Sequence, residues 1–206
     1  MPRRIETFFI AGPAGRIEAM LETHGDEVRE AVLLCHPHPL FGGTMRNKVV
    51  HRIARGLVRT GSAVLRFNFR GVALSEGAFD SGRGELEDAR VCMEWLRARY
   101  PDAPYSAAGF SFGSRIALRL ACEIGTVARM IAVGYPTGGP QISGLSLCRR
   151  PKFFIQSTHD QFGPRAELEK LFETFSEPKK LIWVEARDHF FDGALERLEE
   201  VVEGLE

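Results

Sequence analysis

Short apolar runs, separated by polar, glycine-rich or helically patterned segments, recur along almost the whole of this 206-residue sequence. One of them, 31–35, contains no polar residue, which is typical of a strand buried on both faces of a sheet. The runs predict eight strands, at 5–10, 16–21, 31–35, 62–67, 105–108, 129–134, 152–157 and 180–185. The turn Gly12-Pro13-Ala14-Gly15 joins the first two strands into a predicted antiparallel hairpin.

Apolar residues at helical spacing lie between or after most of these runs. They predict five helices, over 49–57, 85–100, 114–123, 165–175 and 191–202. The alternation of strands and helices implies an α/β fold, with a mostly parallel, twisted sheet of about eight strands and helices on both faces. No repeat or linker divides the chain, so residues 1–206 are predicted to form a single domain. The irregular connection 136–151 is too short for a cap domain, so a substrate pocket should be open or only lightly covered.

Charge and cysteine usage restrict the class of partner. The 27 lysines and arginines balance 27 aspartates and glutamates, which argues against nucleic acid or an anionic membrane. No apolar stretch approaches the roughly 18 residues of a membrane span, and the first residues lack the apolar core of a secretory signal. The cysteines form no CxxC pair, which favours a reducing cytoplasm over disulfides or a metal site; all but the last are predicted core residues: Cys35, Cys92, Cys122 and Cys148.

Candidate chemistry begins at Gly109-Phe110-Ser111-Phe112-Gly113, between the strand at 105–108 and the helix at 114–123. A strand that turns directly into a helix leaves no room for side chains two residues either side of the apex, and glycine fits there. The apex residue takes a strained backbone conformation that lifts its hydroxyl clear of the sheet. The pattern therefore predicts Ser111 as a nucleophile and the Phe112 amide, at a helix N-terminus, as an oxyanion donor.

A second serine lies in a similar local pattern, Ala73-Leu74-Ser75-Glu76-Gly77. No apolar strand leads into this segment and no helix follows it directly, so Ser75 is not predicted to act. The alternative for Ser111 itself is a structural serine in a tight turn.

The histidines can be compared by their place in the predicted sheet, because catalytic groups of an open parallel sheet gather at the carboxyl ends of its strands. His189 lies just past the last strand, in a loop that can reach over Ser111, and is the predicted base. Solvated or structural roles are expected for His24, His51 and His159. His36 and His38 follow the strand at 31–35 and are expected near the site.

A serine–histidine pair needs a carboxylate that orients the imidazole. Asp160 follows the strand at 152–157 and gives the chain order serine, aspartate, histidine. Asp188 and Asp192 are competing acids, but each is so close to His189 in sequence that it would have to fold back onto its neighbour's ring. Asp160 is therefore the predicted acid.

The loop after the strand at 31–35 is expected to supply a second oxyanion donor. Pro37 and Pro39 have no backbone N–H, so this role is predicted for the amide of His38 or of Leu40. A metal site formed by His36 and His38 is the alternative use of this loop, but no nearby cysteine or carboxylate would complete it.

Two further segments have both a structural and a functional interpretation. Arg70, at a strand end, is expected to pin its own loop through Glu85 or Asp88, and the alternative is contact with substrate. Phe190 and Phe191 are expected to pack under the histidine loop rather than to contact substrate.

At these residues the chain resembles the α/β-hydrolase superfamily and, more narrowly, small lidless bacterial hydrolases of the dienelactone-hydrolase-like type. The resemblance implies a catalytic triad of Ser111, Asp160 and His189 and no cofactor or metal. Similar proteins usually have glycine where Ala73 stands, and dienelactone hydrolases proper have a cysteine nucleophile, so a dienelactone substrate is not implied. The matching stretches are, in order, HPHPLFGGTMRNKVV (36–50), RFNFRGVALSEGAFD (66–80), GFSFGS (109–114), the Asp160 loop and DHFF (188–191).

The resulting hypothesis is a cytoplasmic serine hydrolase that cleaves a small-molecule carboxylic ester through an acyl-enzyme. A thioesterase or peptidase would use the same three residues. A thioesterase acting on coenzyme A esters would need a basic patch, which Arg46 and Lys48 could form, although both also suit a solvated helix face. A non-catalytic ligand-binding protein on the same fold is the alternative from another class, and it would not need the three side chains within hydrogen-bond reach.

Overall fold

The computed structural model describes residues 3–25 and 27–205, which form one eight-stranded sheet in the order β1-β2-β4-β3-β5-β6-β7-β8. The hairpin β1–β2 pairs antiparallel with β4, and every pairing from β4 to β8 is parallel. The strands are β1 (Arg3–Gly12), β2 (Gly15–His24), β3 (Glu30–Cys35), β4 (Ser62–Phe67), β5 (Tyr105–Phe110), β6 (Met130–Val133), β7 (Lys152–Ser157) and β8 (Lys179–Val184). The predicted α/β fold and its antiparallel start are confirmed.

Helices cover both faces of the sheet. Alternate residues of a strand point to opposite faces, and apolar residues of the central strands lie on both. In β3, Ala31, Leu33 and Cys35 pack on one side, and Val32 and Leu34 pack on the other. The first side is covered by α2 (Arg83–Arg99), α3 (Phe112–Ile124) and α4 (Arg165–Glu173), and the second by α1 (Lys48–Arg59) and α5 (Leu195–Glu203). The middle of β3, from Ala31 to Cys35, is therefore apolar on both faces.

Element boundaries differ from the prediction mainly at the last helix. The apolar pattern predicts a start at Phe191, but α5 starts at Leu195. The Asp188 carboxylate accepts the amides of Phe190 and Asp192, and Phe191 has a φ of 56°, so the chain turns here instead of entering a helix. His189 lies in this turn, between Asp188 and Phe190.

The connection from β6 to β7, residues 134–151, contains neither helix nor strand and adds no layer over the sheet. Of the cysteines predicted to be core residues, Cys35 and Cys92 are buried, whereas Cys122 is only partly buried. Within the described residues, no helix has the length and apolar character needed to cross a membrane.

Candidate active site

Ser111 lies at the apex between β5 and α3, with a φ of 57° and a ψ of −124°. A non-glycine residue rarely adopts a positive φ, and such outliers are typical of functional sites. The flanking glycines are needed because the chain packs tightly around the turn. A Cβ on Gly109 would overlap the Gly113 carbonyl, and a Cβ on Gly113 would overlap the carbonyls of Cys35 and His36. The structure thus gives a physical reason for both glycines.

A chain of two hydrogen bonds joins Asp160, His189 and Ser111. His189 Nδ1 lies 2.7 Å from Asp160 Oδ2, and His189 Nε2 lies 2.8 Å from Ser111 Oγ. The carboxylate can only accept, so Nδ1 carries the proton, and Nε2 is left to accept from the serine hydroxyl. Asp160 is 4% exposed and His189 1% exposed, so the hydrogen bond between them is shielded from bulk water.

Asp160 is held by a dense set of donors. Its Oδ1 accepts the amides of Phe162 (2.9 Å) and Gly163 (3.1 Å), and its Oδ2 accepts from Gln156 Nε2 (2.8 Å). Gln156 is fully buried in β7 and also binds the backbone of Tyr135 through both ends of its amide. Sequence reasoning missed this residue. Its signal was a polar side chain directly after the apolar residues 153–155 of a strand.

The loop that carries His189 is fixed from several sides. Gln161 Oε1 accepts the His189 amide at 3.3 Å, and the imidazole stacks on Phe110 at 4.9 Å between ring centroids. Phe162 and Phe190 contact the same ring edge-on, at 4.8 and 5.3 Å. These contacts restrain the imidazole to the position from which it reaches Ser111.

The two competing acids are used elsewhere. Asp188 caps the turn that follows His189, and Asp192 forms an ion pair with Arg187 at 3.2 Å. His159, the histidine beside Asp160, has its Nδ1 within 2.8 Å of the Ala186 carbonyl. The structure brings none of these side chains to Ser111, which leaves Asp160 as the carboxylate on the His189 ring.

The predicted oxyanion donors differ in their surroundings. Phe112 is the first residue of α3, so its N–H has no acceptor within the helix. His38 lines the cavity beside Ser111, as Phe112 does. The Leu40 amide instead donates to His38 Nδ1 at 3.2 Å, and the Leu40 side chain is 66% exposed. Leu40, the alternative donor, therefore has its N–H already engaged by the His38 ring.

A cavity of about 480 Å³ opens beside Ser111. Its walls are mainly aromatic and proline side chains, and Arg115 is the only one of the described lining residues with a permanent charge. Arg115 Nη1 donates to the Tyr135 hydroxyl and the Pro136 carbonyl, and its Nη2 donates to the Pro140 carbonyl, so it anchors one wall. The lining residues are Pro37, His38, Phe41, Gly43, Asn47, Ser111, Phe112, Arg115, Pro136, Gly138, Phe162, His189 and Phe190.

Phe190 and Phe191 behave differently from each other. Phe191 is fully buried against α5 and its neighbours, as the packing interpretation predicts, but Phe190 is 37% exposed and lines the cavity. Phe190 therefore packs on the His189 ring, as predicted, and also lines the cavity. The turn held by Asp188 gives the two adjacent rings opposite directions.

His36 and Arg70 have structural roles. Both ring nitrogens of His36 are engaged, since Nδ1 donates to the Pro37 carbonyl (2.6 Å) and Nε2 accepts the Phe69 amide (3.0 Å). Burial lowers the pKa of His36 to about 4, so the ring is neutral at pH 7. Arg70 pairs with Asp88 at 2.7 Å and so pins its own loop. A metal bound between His36 and His38 would have to displace the hydrogen bonds of the His36 ring. Within the described residues, no group of three or more histidine, cysteine, aspartate or glutamate side chains could hold a metal ion.

Comparison with known proteins gives several matches over most of the chain. Residues 28–199 match the family model of the alpha/beta hydrolase domain. An uncharacterized protein of Rickettsia prowazekii is 34% identical over 192 residues, covering 89% of this chain and 81% of that protein. An alpha-beta serine hydrolase homologue from Coxiella burnetii has a TM-score of 0.91 at 35% identity, covering 96% of this chain and 95% of that one. A serine hydrolase without lid from Xanthomonas campestris has a TM-score of 0.89 at 31% identity, covering 98% and 94%.

Proposed function

This chain belongs to the α/β-hydrolase family, and we propose that it is a serine hydrolase that cleaves small carboxylic esters through an acyl-enzyme. The observation that carries the proposal is the buried hydrogen-bond chain from Asp160 through His189 to Ser111, which ends at a mainly apolar cavity. A nucleophile, its base and the group that orients the base are thus within hydrogen-bond distance.

In the first half of the reaction Ser111 Oγ attacks the ester carbonyl carbon, and His189 Nε2 takes the hydroxyl proton. The tetrahedral intermediate then collapses, the bond to the alcohol oxygen breaks, and His189 returns the proton to the leaving alcohol. In the second half His189 Nε2 removes a proton from a water molecule, whose oxygen attacks the acyl carbon. The bond from the acyl carbon to Ser111 Oγ then breaks, His189 returns the proton to Ser111 Oγ, and the carboxylic acid leaves. Asp160 fixes the imidazole tautomer and stabilises its charged form.

The negative charge of the intermediate needs donors in place before the reaction. The amide of Phe112, at the N-terminus of α3, is one, and the amide of His38 is the other. Each such donor lowers the barrier by on the order of 3 kcal/mol. His38 is favoured over Leu40 because the Leu40 amide is bonded to the His38 ring.

The character of the cavity favours small, largely apolar esters over the alternatives. The basic residues considered for a coenzyme A thioesterase, Arg46 and Lys48, do not line it. A binding protein would have no need of the strained backbone at Ser111 or of the buried carboxylate on His189. A thioesterase or peptidase with the same triad remains the alternative that substrate screening separates.

Labelling with a fluorophosphonate at neutral pH tests the proposal directly. We expect one adduct per chain, on Ser111, and none in Ser111→Ala. Hydrolysis of p-nitrophenyl acetate and butyrate should follow the same pattern. A folded protein that neither reacts with the probe nor hydrolyses esters would contradict the proposal and favour the binding protein.

A further inference from the structure

Beyond Ser111 and His189, three of the described residues that line the cavity have polar side chains. Two, His38 and Asn47, lie at the start and the end of the loop between β3 and α1. The third, Arg115, comes from α3. No aspartate or glutamate is among the described lining residues. The hydrogen-bond donors and acceptors of these three side chains therefore determine which polar groups of a ligand find a side-chain partner in the cavity.

His38 has its acceptor nitrogen occupied. Nδ1 accepts the Leu40 amide at 3.2 Å, so it carries no proton, and the proton of the neutral ring lies on Nε2. Burial among aromatic rings, including Phe41 and Phe79 at 4.7 and 4.9 Å, lowers the pKa of His38 and keeps the ring neutral at pH 7. No described residue accepts a hydrogen bond from Nε2. His38 thus offers one N–H donor.

In Asn47, too, the side-chain acceptor atom is occupied by a backbone amide. Asn47 is the N-cap of α1, and its Oδ1 accepts the Val49 amide at 2.9 Å. This bond fixes the orientation of the side-chain amide, because only the oxygen can accept from a backbone N–H. The NH2 group is left without a partner among the described residues, and it can only donate.

Arg115 has no acceptor atom at all, and its guanidinium already holds carbonyls of Pro136 and Pro140. Away from Ser111 and His189, the side chains of the cavity therefore offer donors and no free acceptor. A ligand hydroxyl or amine would find no side-chain acceptor there, whereas a ligand oxygen would gain a new partner.

We propose that the natural substrates are esters with a second acceptor oxygen, such as an ether, carbonyl or carboxylate oxygen, on an otherwise apolar body, and that His38 Nε2–H and the Asn47 NH2 group bind that oxygen. This inference rests on the proposed ester hydrolysis at Ser111. It adds the substrate class and two specificity-determining side chains.

The test uses pairs of esters that differ by one oxygen. Suitable pairs are p-nitrophenyl hexanoate and its ether analogues, in which oxygen replaces each chain methylene in turn, and phenyl acetates with a methoxy or an ethyl substituent. The oxygen preference is kcat/KM for the oxygen compound divided by that for its methylene analogue. Comparing this ratio between the wild-type protein and a variant cancels the difference in intrinsic reactivity.

Three near-isosteric variants separate donor from acceptor. His38→Asn keeps an acceptor where Nδ1 lies, as an Asx turn to the Leu40 amide, and removes the Nε2 donor. His38→Gln places a side-chain amide near Nε2 and removes the Nδ1 acceptor. Asn47→Asp keeps the cap on Val49 and replaces the donor with a second carboxylate oxygen.

We consider the ester pair for which the wild-type protein has the largest oxygen preference. For this pair we expect the preference to fall about tenfold in His38→Asn and in Asn47→Asp, and to stay within about threefold of the wild-type value in His38→Gln. A loss in only one of the first two supports the proposal with that residue as the donor. If His38 merely holds Leu40, the order of its two variants reverses, and together with an unchanged preference in Asn47→Asp this overturns the proposal. A flat preference in the wild-type protein, with Ser111 labelled and esters hydrolysed, overturns this inference alone. Absence of labelling and hydrolysis removes the proposed function and this inference with it.

Discussion

Two serines of this chain lie in nearly the same local sequence, each two residues before a glycine, and the structure uses them in opposite ways. Ser111 follows β5 and Ser75 lies in the loop after β4, and these two strands flank β3 in the sheet. Ser111 Oγ lies 2.8 Å from His189 Nε2, beside a cavity. Ser75 Oγ is buried, donates to the Asn68 carbonyl (2.7 Å) and accepts the Glu18 amide (2.9 Å). One hydroxyl faces a base and the other joins segments of backbone.

The difference comes from the backbone on each side of the serine. At Ser111 the strand passes directly into α3, and tight packing at Gly109 and Gly113 forces the apex outward. At Ser75 the chain is a folded loop, held by Arg70 on Asp88 and by the Phe69 amide on His36. The local sequence around a serine therefore predicts a nucleophile only where a strand leads into it and a helix follows it directly.

Removing each hydroxyl gives the largest contrast. Ser111→Ala should lower kcat for p-nitrophenyl esters by roughly 10⁴-fold or more, because no acyl-enzyme can form, and should leave the stability nearly unchanged. Ser75→Ala should leave kcat/KM within about threefold and lower the free energy of unfolding by roughly 1–3 kcal/mol, because the buried Glu18 amide loses its acceptor.

Ester hydrolysis and urea unfolding of both variants provide the measurement. A loss of activity in Ser75→Ala at full stability would show that the loop after β4 takes part in the chemistry. Residual hydrolysis by Ser111→Ala close to the wild-type rate would place the nucleophile elsewhere.

Acid should weaken the structural loop through His36. Its pKa in the folded protein is about 4, below the value of 6.5 for a free histidine, because burial disfavours the charged ring. The neutral ring stabilises the fold fully above pH 6.5, and this contribution is lost as the pH falls from 6.5 to 4, amounting to roughly 3 kcal/mol. Protonation would also remove the acceptor of the Phe69 amide.

The free energy of unfolding of the wild-type protein and of His36→Gln, measured between pH 7 and pH 4, isolates this contribution from that of the carboxylates. We expect the wild-type curve to fall more steeply, with the two curves approaching each other toward pH 4. Parallel curves would mean that His36 does not carry the effect.

The sequence predicts the sheet and its helices well because strands buried on both faces and amphipathic helices leave strong apolar patterns, as at 62–67 and 152–157, where the predicted and observed bounds agree. It predicts less where a single polar side chain makes specific contacts. Gln156 binds the backbone of Tyr135 and the carboxylate of Asp160, and the pattern of its strand does not show either partner. The capping of the His189 turn by Asp188, which delays α5 and exposes Phe190, depends on a local hydrogen bond that competes with helix formation.

The smallest effect concerns backbone strain, which the two serine segments share. Ala73, two residues before Ser75, has a φ of 48°, a conformation that costs an alanine roughly 1–2 kcal/mol and a glycine almost nothing. After the entropy that glycine adds to the unfolded chain, Ala73→Gly should stabilise the protein by about 0.5–1 kcal/mol without changing kcat. Ala78→Gly, in the same loop but without a positive φ, is the matched control and should destabilise slightly. Equal destabilisation of both variants in urea unfolding would show that Ala73 is not strained. Relief of strain is therefore expected to be harmless at Ala73, whereas at Ser111 the backbone with a positive φ presents the hydroxyl to His189.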